Sequence, residues 1–212
     1  MKTHLSAGLG LPLGLTLALT LSLAACSPAK KQPPQKQPAK TAPAADRPEF
    51  SEGFDPAQKA LMTGKAYLDE NRLKPGVVTT ASGLQYAVLK SGPENGAHPY
   101  PGQFVCVNYR GTSIDGKEFD SSYARGVPAV FPSDRLIKGW VEALSLMRPG
   151  DEWMLYVPSA LAYGASGTMG GPIGPNQTLV FKINLIRLMD LTPEQYQSTY
   201  GANPALDCSK AP

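Results

Sequence analysis

Histidine is nearly absent from this chain. Two occur in 212 residues, and one of them, His4, lies ahead of a long apolar run at the N-terminus. The other, His98, stands beside Pro99 between two strand-like segments and reads as a solvated loop residue. That scarcity excludes a His-based triad, a His metal cluster and a Cys–His pair. The glycine-rich stretch GASGTMGGPIGP (164–175) has no G-x-x-x-x-G-K-[ST] pattern behind a strand, so it is not a phosphate cradle. Paired carboxylates for glycoside cleavage are missing as well, since only Asp120 has suggestive neighbours. The chemistry left open needs no nucleophile, no metal, no cofactor and no general base.

Cysteine is scarce too, with three in all. The run LSAGLGLPLGLTLALTLSLAAC ends in small residues and reads as a secretory signal over residues 1–25. LAAC (23–26) resembles a bacterial lipobox, in which Cys26 becomes the first mature residue and carries lipid. Ser27 rather than aspartate follows it, which in the Gram-negative sorting pattern implies the outer membrane; lipid on Cys26 is then the membrane anchor. Cys106 and Cys208 remain. Alternation in FVCVNYRG places Cys106 on the face opposite Val107 and Tyr109, and a C-terminal tail over 191–212 can bring Cys208 back over it. In an oxidising compartment the two pair as a disulfide or stay as two thiols.

Charge is nearly balanced. The formal net charge is +3, and Lys2 leaves with the signal. Of the remaining +2, residues 27–49 carry +3 through Lys30, Lys31, Lys36, Lys40 and Arg47 against Asp46 and Glu49, leaving the rest at −1. The folded part therefore offers no basic field for nucleic acid. Residues 26–49, rich in Pro, Lys, Gln and Ala, hold almost no large apolar side chain and form a disordered tether.

What is present is periodicity. Within residues 50–75, Asp55 as cap, Pro56 in the first turn and Pro75-Gly76 as stop predict a helix of ~17 residues with Ala57, Ala60, Leu61, Gly64 and Leu68 near one face. From residue 76 to 190 the pattern changes to strands. LQYAVLK and QFVCVNYRGTSI alternate, Asp115-Gly116 marks a hairpin before KEFDSS, and EWMLYVP and TLVFKINLIRL are strand-like. In TLVFKINLIRL, Leu179, Phe181, Ile183 and Leu185 share one face. SDRLIKGWVEALSLMRPGD is helical, capped by Ser133 or Asp134, with Ile137, Trp140, Val141 and Leu144 on one face. Strands, one helix, then strands give an α+β fold, an antiparallel sheet packed on one short helix and preceded by a short N-terminal helix.

Three stretches carry a resemblance. VNYRGTSIDGKEFDSSYARGVPAVF, RLIKGWVEALSLMRPGDEWMLYVPSALAYG and GPNQTLVF resemble the FKBP-type peptidyl-prolyl cis–trans isomerases, nearest the bacterial Mip-like and FkpA-like subgroup, which shares GVVTTASGLQYAVLK. The resemblance covers residues 76–190. It implies a sheet wrapped around the short helix and isomerase activity on X-Pro bonds during the folding of envelope or exported proteins. Its implied substrate pocket has walls of Tyr109, Phe119, Phe131, Leu136, Ile137, Tyr163 and Phe181, with Trp140 as the floor. Asp120 falls at the family's motif aspartate, with Arg125 as its ion-pair partner. The Ile137 N–H and the Tyr163 hydroxyl would bind peptide carbonyls. Periodicity alone makes Trp140 and Phe181 core residues. Asp120 keeps a second reading, a cap on the turn at Ser121-Ser122. Implied partners are prolyl peptides, unfolded envelope proteins and macrolide inhibitors of the class. The long helical dimerisation region of Mip-like proteins is absent, so a monomer is expected. An alternative function is a membrane-tethered proline-binding module with incidental catalysis.

Overall fold

The computed structural model describes Gly53 and residues 55–210; the signal, Cys26 and the tether lie outside the described residues. Seven strands form one antiparallel sheet: β1 (Val77–Thr79), β2 (Gln85–Lys90), β3 (Phe104–Ser113), β4 (Glu118–Ser121), β5 (Ala129–Pro132), β6 (Glu152–Val157) and β7 (Leu179–Met189). Their order is β1-β2-β6-β7-β3-β4, with β5 also on β3. One edge of β3 pairs with β7 throughout. Its other edge is shared, Phe104–Val107 pairing with β5 and Arg110–Thr112 with β4. Asn108 and Tyr109 sit at the split between β4 and β5, and that split positions the site described below.

Helix α3 (Lys138–Leu146) fills the concave face, burying Trp140, Ala143 and Leu144 against Val105, Val107, Leu155, Phe181 and Ile183. It starts later than the sequence suggests. Ile137, not Ser133 or Asp134, is its N-cap, and no side chain caps it. The Ser133 hydroxyl instead donates to the Tyr100 carbonyl at 2.9 Å, a turn contact that competes for the same group.

On β7 the residues Leu179, Phe181, Ile183 and Leu185 all enter the core. Alternation then breaks, because the register against β3 shifts between Cys106–Arg187 and Val107–Leu185. This bulge resets the phase, so Leu188 packs on the concave side and Met189 on the convex one.

Helix α1 (Pro56–Asn71) lies on its own domain. Pro56 takes the first helical position, but Asp55 makes no side-chain cap bond. Gly64 is the close approach: a Cβ there would stand 2.3 Å from the Thr178 hydroxyl. Buried Asn71 donates to the Gln85 side-chain carbonyl at 2.9 Å, and the Gln85 amide donates to the Leu68 carbonyl at 2.9 Å. Leu61, expected on the packed face, is 49% exposed. The docked stripe runs through Gly64, Tyr67, Leu68 and Asn71, to one side of it.

The C-terminal segment is folded. After α4 (Pro193–Tyr196), closed by a Thr192–Gln195 capping box, a π-helical turn (Gln197–Gly201) leads to Cys208. Cys208 is joined to Cys106 by a disulfide with S–S 2.04 Å. Phe104, Cys106, Val130, Met189 and Cys208 form a second, smaller core on the convex face.

Candidate active site

A cavity of ≈ 220 Å³ opens where β3, β4, β5 and the start of α3 converge. Tyr109, Phe119, Asp120, Phe131, Leu136, Ile137, Trp140, Tyr163 and Phe181 line it. Alternation delivers Tyr109 from β3 and Phe181 from β7 to the concave side, and α3 lifts Trp140 between them. The Trp140 ring meets Tyr109 at 5.2 Å, Phe181 at 5.3 Å and Phe131 at 6.2 Å, each nearly edge-on. Phe119 meets Phe181 edge-on at 5.6 Å. Such pairs each add ~0.5–1.5 kcal/mol beyond their burial and hold the rings in fixed orientations.

Asp120 is the carboxylate of the cavity. Its Oδ2 accepts from the Tyr109 hydroxyl at 2.5 Å, and its Oδ1 is ion-paired with Arg125. Arg125 also donates to the Tyr109 hydroxyl at 2.8 Å and lies over that ring, 5.4 Å from its centre. Asp120 caps nothing. The cap of the short helix α2 (Ser122–Arg125) is Ser121, whose hydroxyl accepts from the Ala124 N–H at 3.3 Å. Among the ten pocket and partner residues expected from the sequence, Arg125 alone does not line the cavity; it braces Asp120 and Tyr109 from outside.

Burial, then the hydrogen bond to Asp120, pushes the Tyr109 phenol up to about 12, against a smaller opposing effect of Arg125. Burial and then the Asp120 charge raise the Tyr163 phenol. The Tyr163 hydroxyl and the Ile137 N–H have no hydrogen-bond partner among the described residues, so both are free to meet a carbonyl. An apolar cup with two free donors at its rim can hold an uncharged ring and the carbonyls on either side of it.

Two supporting residues escape a sequence reading. Ser122 is fully buried, its hydroxyl accepting from the Tyr109 N–H at 2.9 Å and donating to the Asn108 side chain at 2.9 Å, which closes the gap between β4 and β5. Gly111 leaves room for two rings: a Cβ would stand 2.6 Å from Phe119 and 2.8 Å from Phe181. A glycine inside a strand pattern is the signal that could have found Gly111, whereas nothing local marks Ser122.

Comparison with known proteins agrees with this geometry. The family profile described as FKBP-type peptidyl-prolyl cis-trans isomerase matches residues 96–186, and that of the domain amino terminal to it matches residues 24–88. The chain is 54% identical over 122 residues to the peptidyl-prolyl cis-trans isomerase Mip of Coxiella burnetii, covering 58% of this chain and 52% of that protein. It is 48% identical over 130 residues to the outer membrane protein MIP of Legionella longbeachae, covering 61% and 54%. It thus spans about half the length of these curated relatives. Among solved structures, a peptidyl-prolyl cis-trans isomerase from Pseudomonas syringae superposes with a TM-score of 0.58 at 38% identity, over 65% of this chain and 100% of the other. The chain belongs to the FKBP-type peptidyl-prolyl cis–trans isomerase family.

Proposed function

We propose that this protein is a peptidyl-prolyl cis–trans isomerase that assists the folding of envelope or exported proteins. In this reading residues 1–25 are a signal peptide, residues 26–49 are a tether lipidated at Cys26, and residues 76–190 act as a monomeric isomerase domain at the outer membrane. Macrolides of the class would occupy the same pocket. The observation that carries the reading is the gathering of six aromatic side chains and Asp120 around one cavity of ≈ 220 Å³, with two free donors at its rim.

Rotation about a peptide bond faces ~18–20 kcal/mol because resonance makes C–N partly double. Resonance separates charge and is favoured by water. A prolyl ring seated on Trp140, between Phe181 and Tyr109, leaves its amide in an apolar setting that disfavours the planar form relative to the twisted one. No proton need move, so Asp120 acts by charge and position. The Tyr109 hydroxyl and Arg125 hold its carboxylate toward the rotating amide carbonyl, while the Ile137 N–H and the Tyr163 hydroxyl fix the flanking carbonyls.

The test is a protease-coupled isomerisation assay at low temperature on the full-length protein, with a Leu-Pro or Phe-Pro peptide. Wild type should accelerate exchange strongly. Asp120→Leu and Tyr163→Ala should each lower kcat/KM by at least about tenfold, a loss of ~1.4 kcal/mol of transition-state stabilisation. Wild-type rates equal to background would leave binding, not catalysis, as the function of the pocket.

A further inference from the structure

Beside the aromatic pocket lies a second cavity, of ≈ 370 Å³, that isomerisation leaves without a role. Tyr109 and Phe131 line both, so the two cavities share a wall. Val127, Pro128 and β5 form one side of the groove. Tyr196, Tyr200, Pro204 and Leu206 of the C-terminal segment face them across it. Arg125 is the one charged side chain in the lining, and it is already paired with Asp120. The groove therefore suits an uncharged occupant.

Its backbone matters as well. Among the described strands β5 pairs with β3 alone, so Ala129–Pro132 keep a second edge without a strand partner. An extended chain can bond such an edge as an added strand, with alternate side chains entering pockets. The far wall is held firmly. Tyr196 stacks on Phe104 at 4.7 Å, and the fully buried Cys106–Cys208 disulfide pins the end of the segment behind Val130.

We propose that this groove is an extended substrate subsite, taking the uncharged apolar residues of the same polypeptide whose prolyl residue occupies the aromatic pocket. The proposal rests on the isomerase reading, because the pocket fixes the prolyl end. The shared Tyr109–Phe131 wall identifies the occupant: a chain leaving the pocket over that wall enters the groove directly. Discrimination among clients then lies in the C-terminal segment, outside the pocket.

The full chain is titrated with a short prolyl peptide and with two longer ones, which add uncharged residues, leucine and tyrosine among them, before or after the same core. Binding is read by calorimetry and turnover by isomerisation. One of the longer peptides should bind at least about tenfold more tightly than the short one, the scale of burying a large apolar side chain. Leu206→Asp, on the exposed rim, should abolish that gain and leave short-peptide turnover unchanged. Cys208→Ser should do the same by releasing the wall. Equal binding of long and short peptides, or a gain that survives both variants, overturns the subsite. Failure of wild type to turn over the short peptide sinks the isomerase reading by itself, and the calorimetric comparison still decides the groove.

Discussion

Both carboxylate oxygens of Asp120 are engaged by groups that also touch each other, Tyr109 and Arg125. The ion pair is half-exposed, 43% at Asp120 and 46% at Arg125, so it contributes at most ~1 kcal/mol to stability. In the proposed mechanism its use is orientation, so Asp120→Leu should lower turnover with little change in stability. Tyr109 has the opposite balance, with its ring 5% exposed and its phenol pushed up to about 12 from the ordinary 10.0. A raised pKa means the folded state keeps its proton where the unfolded state has lost it. Stability is thus unaffected by this group below pH 10 and declines as pH rises from there to about 12. Denaturant titrations across that window should show wild type losing more stability than Tyr109→Phe. Equal slopes for the two would mean that the phenol is not held protonated. Other half-buried tyrosines, Tyr67 and Tyr156 among them, are raised by burial and contribute to both proteins alike.

At the scale of elements, the split edge of β3 matters most. Neither β4 nor β5 pairs with Asn108 or Tyr109. Two short partners, β4 and β5, leave a gap that Ser122 closes at the backbone while the side chain of Tyr109 reaches the pocket. Helix α1 is held by a different device, the buried Asn71–Gln85–Leu68 chain of hydrogen bonds, and none of its residues lines the aromatic pocket. Asn71→Ala leaves the Gln85 carbonyl buried and unpaired, which should cost about 1–3 kcal/mol in urea unfolding. Turnover of a short prolyl peptide should be unchanged. A fall in turnover with stability intact would show that α1 shapes the pocket.

Across the whole molecule, the disulfide closes a loop with a sequence separation of 102, tying the C-terminal segment to the first part of β3. Such a crosslink contributes about 2–4 kcal/mol, mainly by restricting the unfolded chain. Reduction should lower the denaturation midpoint accordingly while the pocket side of β3, facing away from Cys106, stays assembled. A midpoint indifferent to reductant would show that the bond adds no net stability. Anchoring is tested separately: Cys26→Ala should move the protein from the membrane fraction to the soluble one, and unchanged retention would rule out lipid on that residue as the anchor.

The strand alternation, the Asp115-Gly116 turn and the helical spacing of Ile137, Trp140, Val141 and Leu144 are local properties, and they give an antiparallel sheet with one central helix. Alternation also put Tyr109 and Phe181 on the inner faces of their strands, because period two is a property of any extended chain. Which strands are neighbours is not local. The sharing of β3 between β4 and β5, the bulge that returns Leu188 to the core, and the docking of α1 by its Asn71 face rather than through Leu61 depend on contacts far apart in sequence. Competition among acceptors is equally beyond a sequence pattern: Asp120 and Ser121 could each cap α2, and geometry assigned the cap to Ser121, freeing Asp120 for Tyr109 and Arg125. The sequence determined which side chains face inward along each element. The tertiary structure decided which of them meet, because that depends on register and on which partner reaches each polar group first.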